Sequence, residues 1–361
     1  MGIRVEILTE PLRNDVWDSF VIQHQGSIFH LSSWSKILYE TYKFRPVYLE
    51  LLERGEIIGI LPLFLVRTVY GRLMCVPFLD YCDPLFKIGL GLKARKRAIE
   101  VATKVIRDLM DFHGVRLVEI RTLADGLSTH FLTLAGFIED KRYKFITSLI
   151  DLHRPPEEIL MRLHSSARRA IRKAERSGVY VREVGGETGL RMFYRLYVMG
   201  MKRHGTPPHG LDFFRRVLRE FGRHVRIYVA FVEGVPVATM WFYFFNGCVH
   251  YAYGAYMREY GRFQPSSLIL WSALVDGHEE GYRTLDLGRT RLGSGVFEFK
   301  RKWKGEIRKI SVLHLGKDDG SSPFLDPINP RVSILSRLWR SLVPLPLTVK
   351  IGPLIRGLLA R

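Results

Sequence analysis

The sequence predicts an α/β chain with mixed sheets, organised as two tandem modules and a C-terminal tail. Three observations carry that expectation. The chain has 361 residues, more than one hydrophobic core usually serves. Strand-like apolar alternation is interleaved with segments of helical period. One order of elements also occurs twice: YLELLERGEIIGILPLFLV from Tyr48 and IYVAFVEGVPVATMWFYFF from Ile227 each read strand, acidic-Gly turn, strand. Each is followed by another strand, a helix and a further strand, the sign of a duplicated architecture.

In the first module, 1–154, the opening MGIRVEILTE reads as a strand. A helix follows over 12–24, and Ser32 or Ser33 caps a second one to about Tyr42 with Trp34 and Leu38 on its inner side. Trp34 reads as a core aromatic or as a platform for a ligand. Segments 45–52 and 56–66 form a hairpin across Glu53-Arg54-Gly55. A third strand over 73–78 leads into Leu79-Asp80-Tyr81-Cys82-Asp83-Pro84. This polar break reads as a connector or as a binding loop contacting substrate through Asp80 and Tyr81. A helix over 92–112 stopped by Gly114, a strand over 115–121, a helix over 129–135 and a strand over 143–152 close the module. Pro155-Pro156 marks the boundary.

The second module, 155–320, opens with one helix over 156–176. Its apolar side is Leu160, Leu163, Ala167, Ile171 and Ala174, and its other faces carry Arg168, Arg172 and Lys173 among further bases. Like charges at i and i+4, such as Arg168 with Arg172, cost an isolated helix roughly a few tenths of a kcal/mol. The face is therefore either solvated or the lining of an anion site. Helices over 189–204 and 211–221 are separated by Gly205-Thr206-Pro207-Pro208. Strands over 226–232 and 235–245 flank Glu233-Gly234, and Asn246-Gly247 turns into 248–256. Pro265 and Ser266 start a helix that runs to Glu280, before a strand over 284–288.

The stretch LDLGRTRLGSGVFEFKRKWKGEI, from Leu285 to Ile307, concentrates chemistry. A short buried strand with Asp286 ends at Gly288, and Gly288, Gly293 and Gly295 open backbone turns that a ligand can approach. Arg289 and Arg291 are fixed-charge donors suited to phosphate or carboxylate. Val296, Phe297 and Phe299 then read as a second strand, carrying Lys300, Arg301, Lys302 and Lys304 around Trp303. A basic hairpin facing solvent is the other reading of the same pattern.

Charge points to an anionic partner: 55 Lys+Arg over 36 Asp+Glu give +19, which attracts nucleic acid, a phosphorylated ligand or an anionic membrane. Three scattered cysteines without CxxC spacing argue against a disulfide framework or a zinc site, and fit a reducing compartment. No secretory h-region or apolar run of about 18 residues stands out, and Glu6 breaks the myristoylation pattern after Met1-Gly2. No Ser-His-Asp order, HExxH or Walker sequence supports a hydrolase, metalloprotease or P-loop enzyme.

The tandem modules, the basic helix ending in RKAERSGV and the late DLGRT…FEFKRKWKG together resemble the FemAB-like, or CelD/BioF-like, branch of the GNAT acyltransferase superfamily over about residues 1–316. The resemblance implies two GNAT-like domains and transfer of an acyl or aminoacyl group to an amine of a cell-envelope precursor. The donor would be acyl-CoA or aminoacyl-tRNA, with no tightly bound cofactor and no metal. Lys300 and Arg289 would face the phosphate-bearing substrate or the developing oxyanion, and Arg168, Arg172 and Lys173 would extend the same positive cleft. Tyr253, Phe299 and Trp303 join Trp34, Asp80 and Tyr81 as candidate substrate contacts. Asp286 is a candidate base or a strand-end residue, with His204 and His250 as further candidates. Where a GNAT pyrophosphate loop is expected, Arg258-Glu259-Tyr260-Gly261-Arg262-Phe263 keeps one glycine but ends in Phe. Arg258, Gly261 and Gln264 are the candidate cofactor contacts, and the Phe fits a FemAB-like donor better than acetyl-CoA. Two other readings remain: an acyl-CoA-dependent N-acetyltransferase on a small amine, and a non-catalytic scaffold for RNA or anionic lipid.

The tail, 321–361, has bases at Arg331, Arg337, Arg340, Lys350, Arg356 and Arg361, no acidic residue from Arg331 onward, and leucines at helical spacing between prolines. Such a segment suits an anionic membrane surface, on the inner face of the cytoplasmic membrane, or folds back on the modules.

Overall fold

The computed structural model describes residues 2–11, 14–69, 71–124, 126–316 and 330–359. The expected helix start at Leu12, residues 321–329 of the tail, Arg361 and the side chain of Arg331 lie outside the described residues.

In chain order the elements are β1 (Arg4–Leu8), α1 (Asp15–Gln23), α2 (Ser33–Tyr42), β2 (Arg45–Glu53), β3 (Glu56–Thr68), β4 (Gly71–Cys75), β5 (Leu85–Phe86), α3 (Leu92–His113), β6 (Val115–Leu123), α4 (Leu127–Leu134) and β7 (Ile138–Glu139). There follow β8 (Phe145–Asp151), α5 (Pro156–Arg162), α6 (Ser165–Arg176), β9 (Tyr180–Glu183), α7 (Gly186–His204), α8 (Leu211–Phe221), β10 (Val225–Val232), β11 (Val235–Phe245), β12 (Cys248–Tyr256), α9 (Pro265–Glu279), β13 (Thr284–Asp286), β14 (Thr290–Arg291), α10 (Gly295–Lys300), β15 (Glu306–Gly316), α11 (Pro330–Leu342) and α12 (Leu345–Leu359).

The chain forms two compact units: residues 1–145, 308–329 and 357–361 make the first, residues 146–307 and 330–356 the second. The first sheet runs β1-β2-β3-β4-β6-β15, with β4 and β6 parallel and the other neighbours antiparallel. The second runs β9-β10-β11-β12-β13-β8, and its one parallel pair is β12 with β13. The two match position for position, as the repeated sequence pattern predicts. A parallel pair needs a crossover rather than a hairpin, and α3 and α9 supply it in the same place. The hairpins match too: Arg54-Gly55 and Glu233-Gly234 both take positive φ at each central residue, the twist-compatible turn geometry. Each is preceded by a bulge, at Leu51/Leu52 and at Ala230/Phe231.

The last strand of each sheet departs from expectation. The segment over 143–152 was expected to close the first module, yet β8 pairs with β13 in the second sheet through Thr284↔Asp151 and Leu285↔Ile150. The first sheet is closed instead by β15, from Ile310↔Leu123 to Gly316↔Leu117. Alternation marks a segment as a strand but does not name its partner.

Two further expectations are corrected. The helix over 156–176 is interrupted at Leu163, where the backbone extends; His164 then caps α6, its ring accepting from the Ser166 amide. The residues from Val296 to Phe299 are helical, not extended. The Ser294 hydroxyl accepts the Phe297 N–H at 3.1 Å and starts α10, so the aromatic alternation at 297 and 299 is incidental to a capped turn.

The core of the second unit lies between its sheet and α5, α6 and α9, with Ala167, Ile171, Leu270, Ala273, Leu285 and Trp303 fully enclosed. The opposite sheet face carries an aromatic nest of Phe193, Tyr197, Phe214 and Trp241 under α7 and α8. A bulge in the β11–β12 ladder lets Trp241 pair with Tyr253 and Phe242 with Tyr251, which sends Tyr251 to the α6/α9 face and Tyr253 into the nest. The tail is folded back: α11 lies along α7, and no helix among the described residues is long and apolar enough to cross a membrane.

Candidate active site

The site is organised by the end of β13. Asp286 is fully buried, and its oxygens accept the Gly288 N–H at 2.8 Å and the Thr147 hydroxyl, and lie 3.1 Å from His250 Nδ1. Three partners hold the carboxylate where the chain leaves the sheet, so Asp286 fixes the loop that follows. Gly288 turns that loop at φ 72°, a conformation costly for any residue with a Cβ. Its carbonyl then faces back toward α10.

Lys300 meets that carbonyl. α10 delivers the side chain inward with only 6% of its surface exposed, and Nζ donates to Gly288 O at 2.9 Å and Arg289 O at 3.4 Å. The ammonium also stands 5.3 Å from the ring centroid of Tyr251. Burial pushes the Tyr251 phenol well above its ordinary range, so the ring stays neutral. Arg289 is half-buried on the same loop. Beside Lys300 lies a small cleft, with room for about one water, lined by Ser148 of β8, Thr290 of β14, Phe297 and Arg301. The Ser148 and Thr290 hydroxyls are buried and have no hydrogen-bond partner among the described residues. Two such hydroxyls beside a buried ammonium leave hydrogen-bonding capacity in the cleft that a water or another polar atom would satisfy.

α6 runs past this region, packing on α9, on the 3-10 turn Arg258–Phe263 and on the turn Arg301–Trp303. Its three candidate bases divide. Arg168 donates to Met161 O at 2.7 Å and Leu163 O at 2.6 Å, bracing the end of α5, whereas Arg172 and Lys173 are exposed. Before α9, Gln264 takes φ 59° and its Nε2 donates to Gly261 O at 3.2 Å, while Tyr260 and Phe263 pack on the core. Arg258 is exposed. The second unit thus carries Lys300, Phe299, Gly261 and Gln264 on the α6–α9 side of its sheet, with Arg289, Arg168 and Arg258 on the adjoining loops and helix. Asp286 turns to the other face with His250, whose ring stacks on Tyr243.

Other candidates fall elsewhere. Trp303 is 2% exposed in the core, with Phe299 tilted against it at 6.3 Å, so Trp303 supports the turn and does not meet solvent-borne substrate. Tyr253 lies in the nest on the other face. Trp34, in the first unit, is fully packed and its indole N–H is taken by Ile28 O at 2.9 Å, which corrects the platform reading. Asp80 and Tyr81 are half-buried in the first unit, Tyr81 edge-on to Phe29. His204 ends α7, its ring made less basic by burial and by Arg203 and Arg340. Sequence reasoning passed over Thr147, Ser148 and Thr290. The adjacent hydroxyls in FITSLID, polar breaks in a buried strand, were the available signal.

The profile of the Acetyltransferase (GNAT) domain family matches residues 161–301, from the end of α5 to just past Lys300. The protein called FemX has a similar fold, with 15% identity, a TM-score of 0.69, and coverage of 89% of this chain and 99% of its own. A tandem GNAT protein from the clavulanic acid biosynthesis pathway is similar at 12% identity and TM-score 0.56, covering 88% of this chain and 100% of its own. The C-terminal domain of a putative lysylphosphatidylglycerol synthetase from Agrobacterium fabrum is similar at 14% identity and TM-score 0.59, covering 86% and 94%. No curated protein sequence matches. The domain that matches, residues 161–301, holds Lys300, its loop and the α6–α9 pair, so the chain carries a GNAT acyltransferase domain, within a fold similar to those of FemX and the tandem GNAT protein.

Proposed function

We propose that this acyltransferase moves an aminoacyl or acyl group from a phosphate-bearing donor to an amine of a cell-envelope precursor. The observation that carries the reading is the buried Lys300 ammonium, pinned by two carbonyls beside the small Ser148–Thr290 cleft. Attack of an amine on an ester or thioester carbonyl develops an oxyanion, and a fixed positive charge in a water-poor place stabilises it more than it does the ground state. Arg289, Arg172 and Lys173 add charge for the phosphates of the larger reactant.

The approach to α9 favours an aminoacyl-tRNA donor over acetyl-CoA. Phe263 packs on the core, Gln264 bonds back to Gly261, and Pro265 brings no N–H to the first turn, which narrows the backbone cradle a pyrophosphate would use. The similarity in fold to FemX and to the lysylphosphatidylglycerol synthetase domain is consistent with aminoacyl transfer.

Transfer is measured with labelled aminoacyl-tRNA and with labelled acetyl-CoA, each against peptide-bearing cell-wall precursors and against small amines. Lys300→Met should lower kcat/KM by about 10²–10³-fold while circular dichroism and melting stay close to wild type. Transfer from acetyl-CoA alone would refute the donor, and an undiminished Lys300→Met would refute the site.

A further inference from the structure

The tail offers a second surface that the acyl-transfer site does not use. α11 is fixed to the end of α7 on its inner side. Gly205 takes φ 68°, and a Cβ there would meet Ser336 O at 2.3 Å, so the helix is seated against backbone. The Lys202 ammonium donates to Arg340 O at 3.0 Å and to Val343 O, capping the end of α11. α12 is held likewise, with Thr348 buried and Gly352 against Pro208.

The outer sides are unlike an ordinary surface. On α11, Leu335, Leu338 and Leu342 recur at i, i+3 and i+7, and they are 65%, 46% and 70% exposed. On α12, Leu347 and Leu354 follow at i and i+7 and also face outward. Arg337, Arg340 and Lys350 are exposed among them, and the sequence from Pro330 to the end has no Asp or Glu. A stripe that is apolar and purely basic, on a helix pinned from behind, has the chemistry of a bilayer interface: acyl chains take the leucines and anionic headgroups take the bases. A protein partner's rim usually mixes charges of both signs, and this side carries no acidic residue.

We infer that the outward sides of α11 and α12 seat the protein on an anionic lipid surface. This does not rest on the proposed reaction. Full-length protein is co-sedimented with vesicles of phosphatidylcholine alone and of phosphatidylcholine with roughly one-third phosphatidylglycerol. Binding is expected to the second, at least about tenfold weaker to the first, and to fall in high salt. Leu335→Asp/Leu338→Asp/Leu342→Asp and, separately, Arg337→Glu/Arg340→Glu should each lose about tenfold or more with unchanged melting, since all five side chains are exposed. If the aspartates disturb folding, Leu335→Ser/Leu342→Ser carries the same test. Wild-type binding by these variants, equal binding to neutral vesicles, retention on tRNA but not on vesicles, or a dimer that the leucine variant dissociates would each overturn the inference.

Discussion

A buried ammonium persists only where polar atoms replace the water it has given up. Lys300 has the Gly288 and Arg289 carbonyls and the Tyr251 face, and Gly288 is itself held by Asp286. The chain Asp286–Gly288–Lys300 ties a core carboxylate to an ammonium it does not touch. Asp83 in the first unit shows the opposite response to enclosure. Its carboxyl meets only backbone amides, that of Leu123 at 3.2 Å and its own, and desolvation outweighs them and raises its pKa to about 7. Because the folded value lies above the usual carboxylate range, the stability that the neutral acid contributes is complete below about pH 4. It is lost as pH rises through 7, where the enclosed group must ionise. Asp83→Asn cannot ionise and keeps an acceptor for Leu123. Its unfolding midpoint should therefore exceed that of wild type near pH 8, by about 1 kcal/mol or more in stability, with the gain shrinking as pH falls toward 5. A difference that is flat across that range would remove Asp83 as the titrating group.

Among elements, α10 is short, and its position depends on its start. Ser294 supplies the cap through Phe297 N, and also donates to Arg291 O at 2.8 Å, tying the helix to the Gly-rich loop. Ser294→Ala should cost about 1 kcal/mol of stability, seen in denaturant unfolding, and should lower kcat more than KM is raised, because Lys300 loses its fixed approach rather than its charge. Normal kcat with lowered stability would confine Ser294 to a structural role. The basic helix shows the complementary lesson. Arg168 looks like its neighbours in sequence, yet the break at Leu163 turns its guanidinium onto α5, leaving Arg172 and Lys173 exposed.

In the whole molecule, each sheet takes its last strand from the C-terminal end of the other module in sequence, β8 in the second and β15 in the first. A fragment of residues 1–144 would leave the β6 edge open along the residues that pair with Ile310 to Gly316. It should aggregate or unfold without a cooperative transition, monitored by circular dichroism and light scattering. A stable fragment would mean that β15 is dispensable to the first unit. The sequence by itself determined the local and periodic features: strands from alternation, positive-φ turns at Arg54-Gly55 and Asn246-Gly247, the crossover helices, the duplicated order and the excess of positive charge. It also pointed to Lys300 and its glycine loop. The tertiary structure decided what depends on segments meeting: the exchange of β8 and β15, the burial of Trp34 and Trp303, the helical form of Val296–Phe299, and the hydroxyls of Ser148 and Thr290 beside the ammonium. The reason is physical. Periodicity reports which side of a segment avoids water, and apolar burial has no direction that names a partner, whereas burial of a charge or a hydroxyl is a property of every chain segment around it.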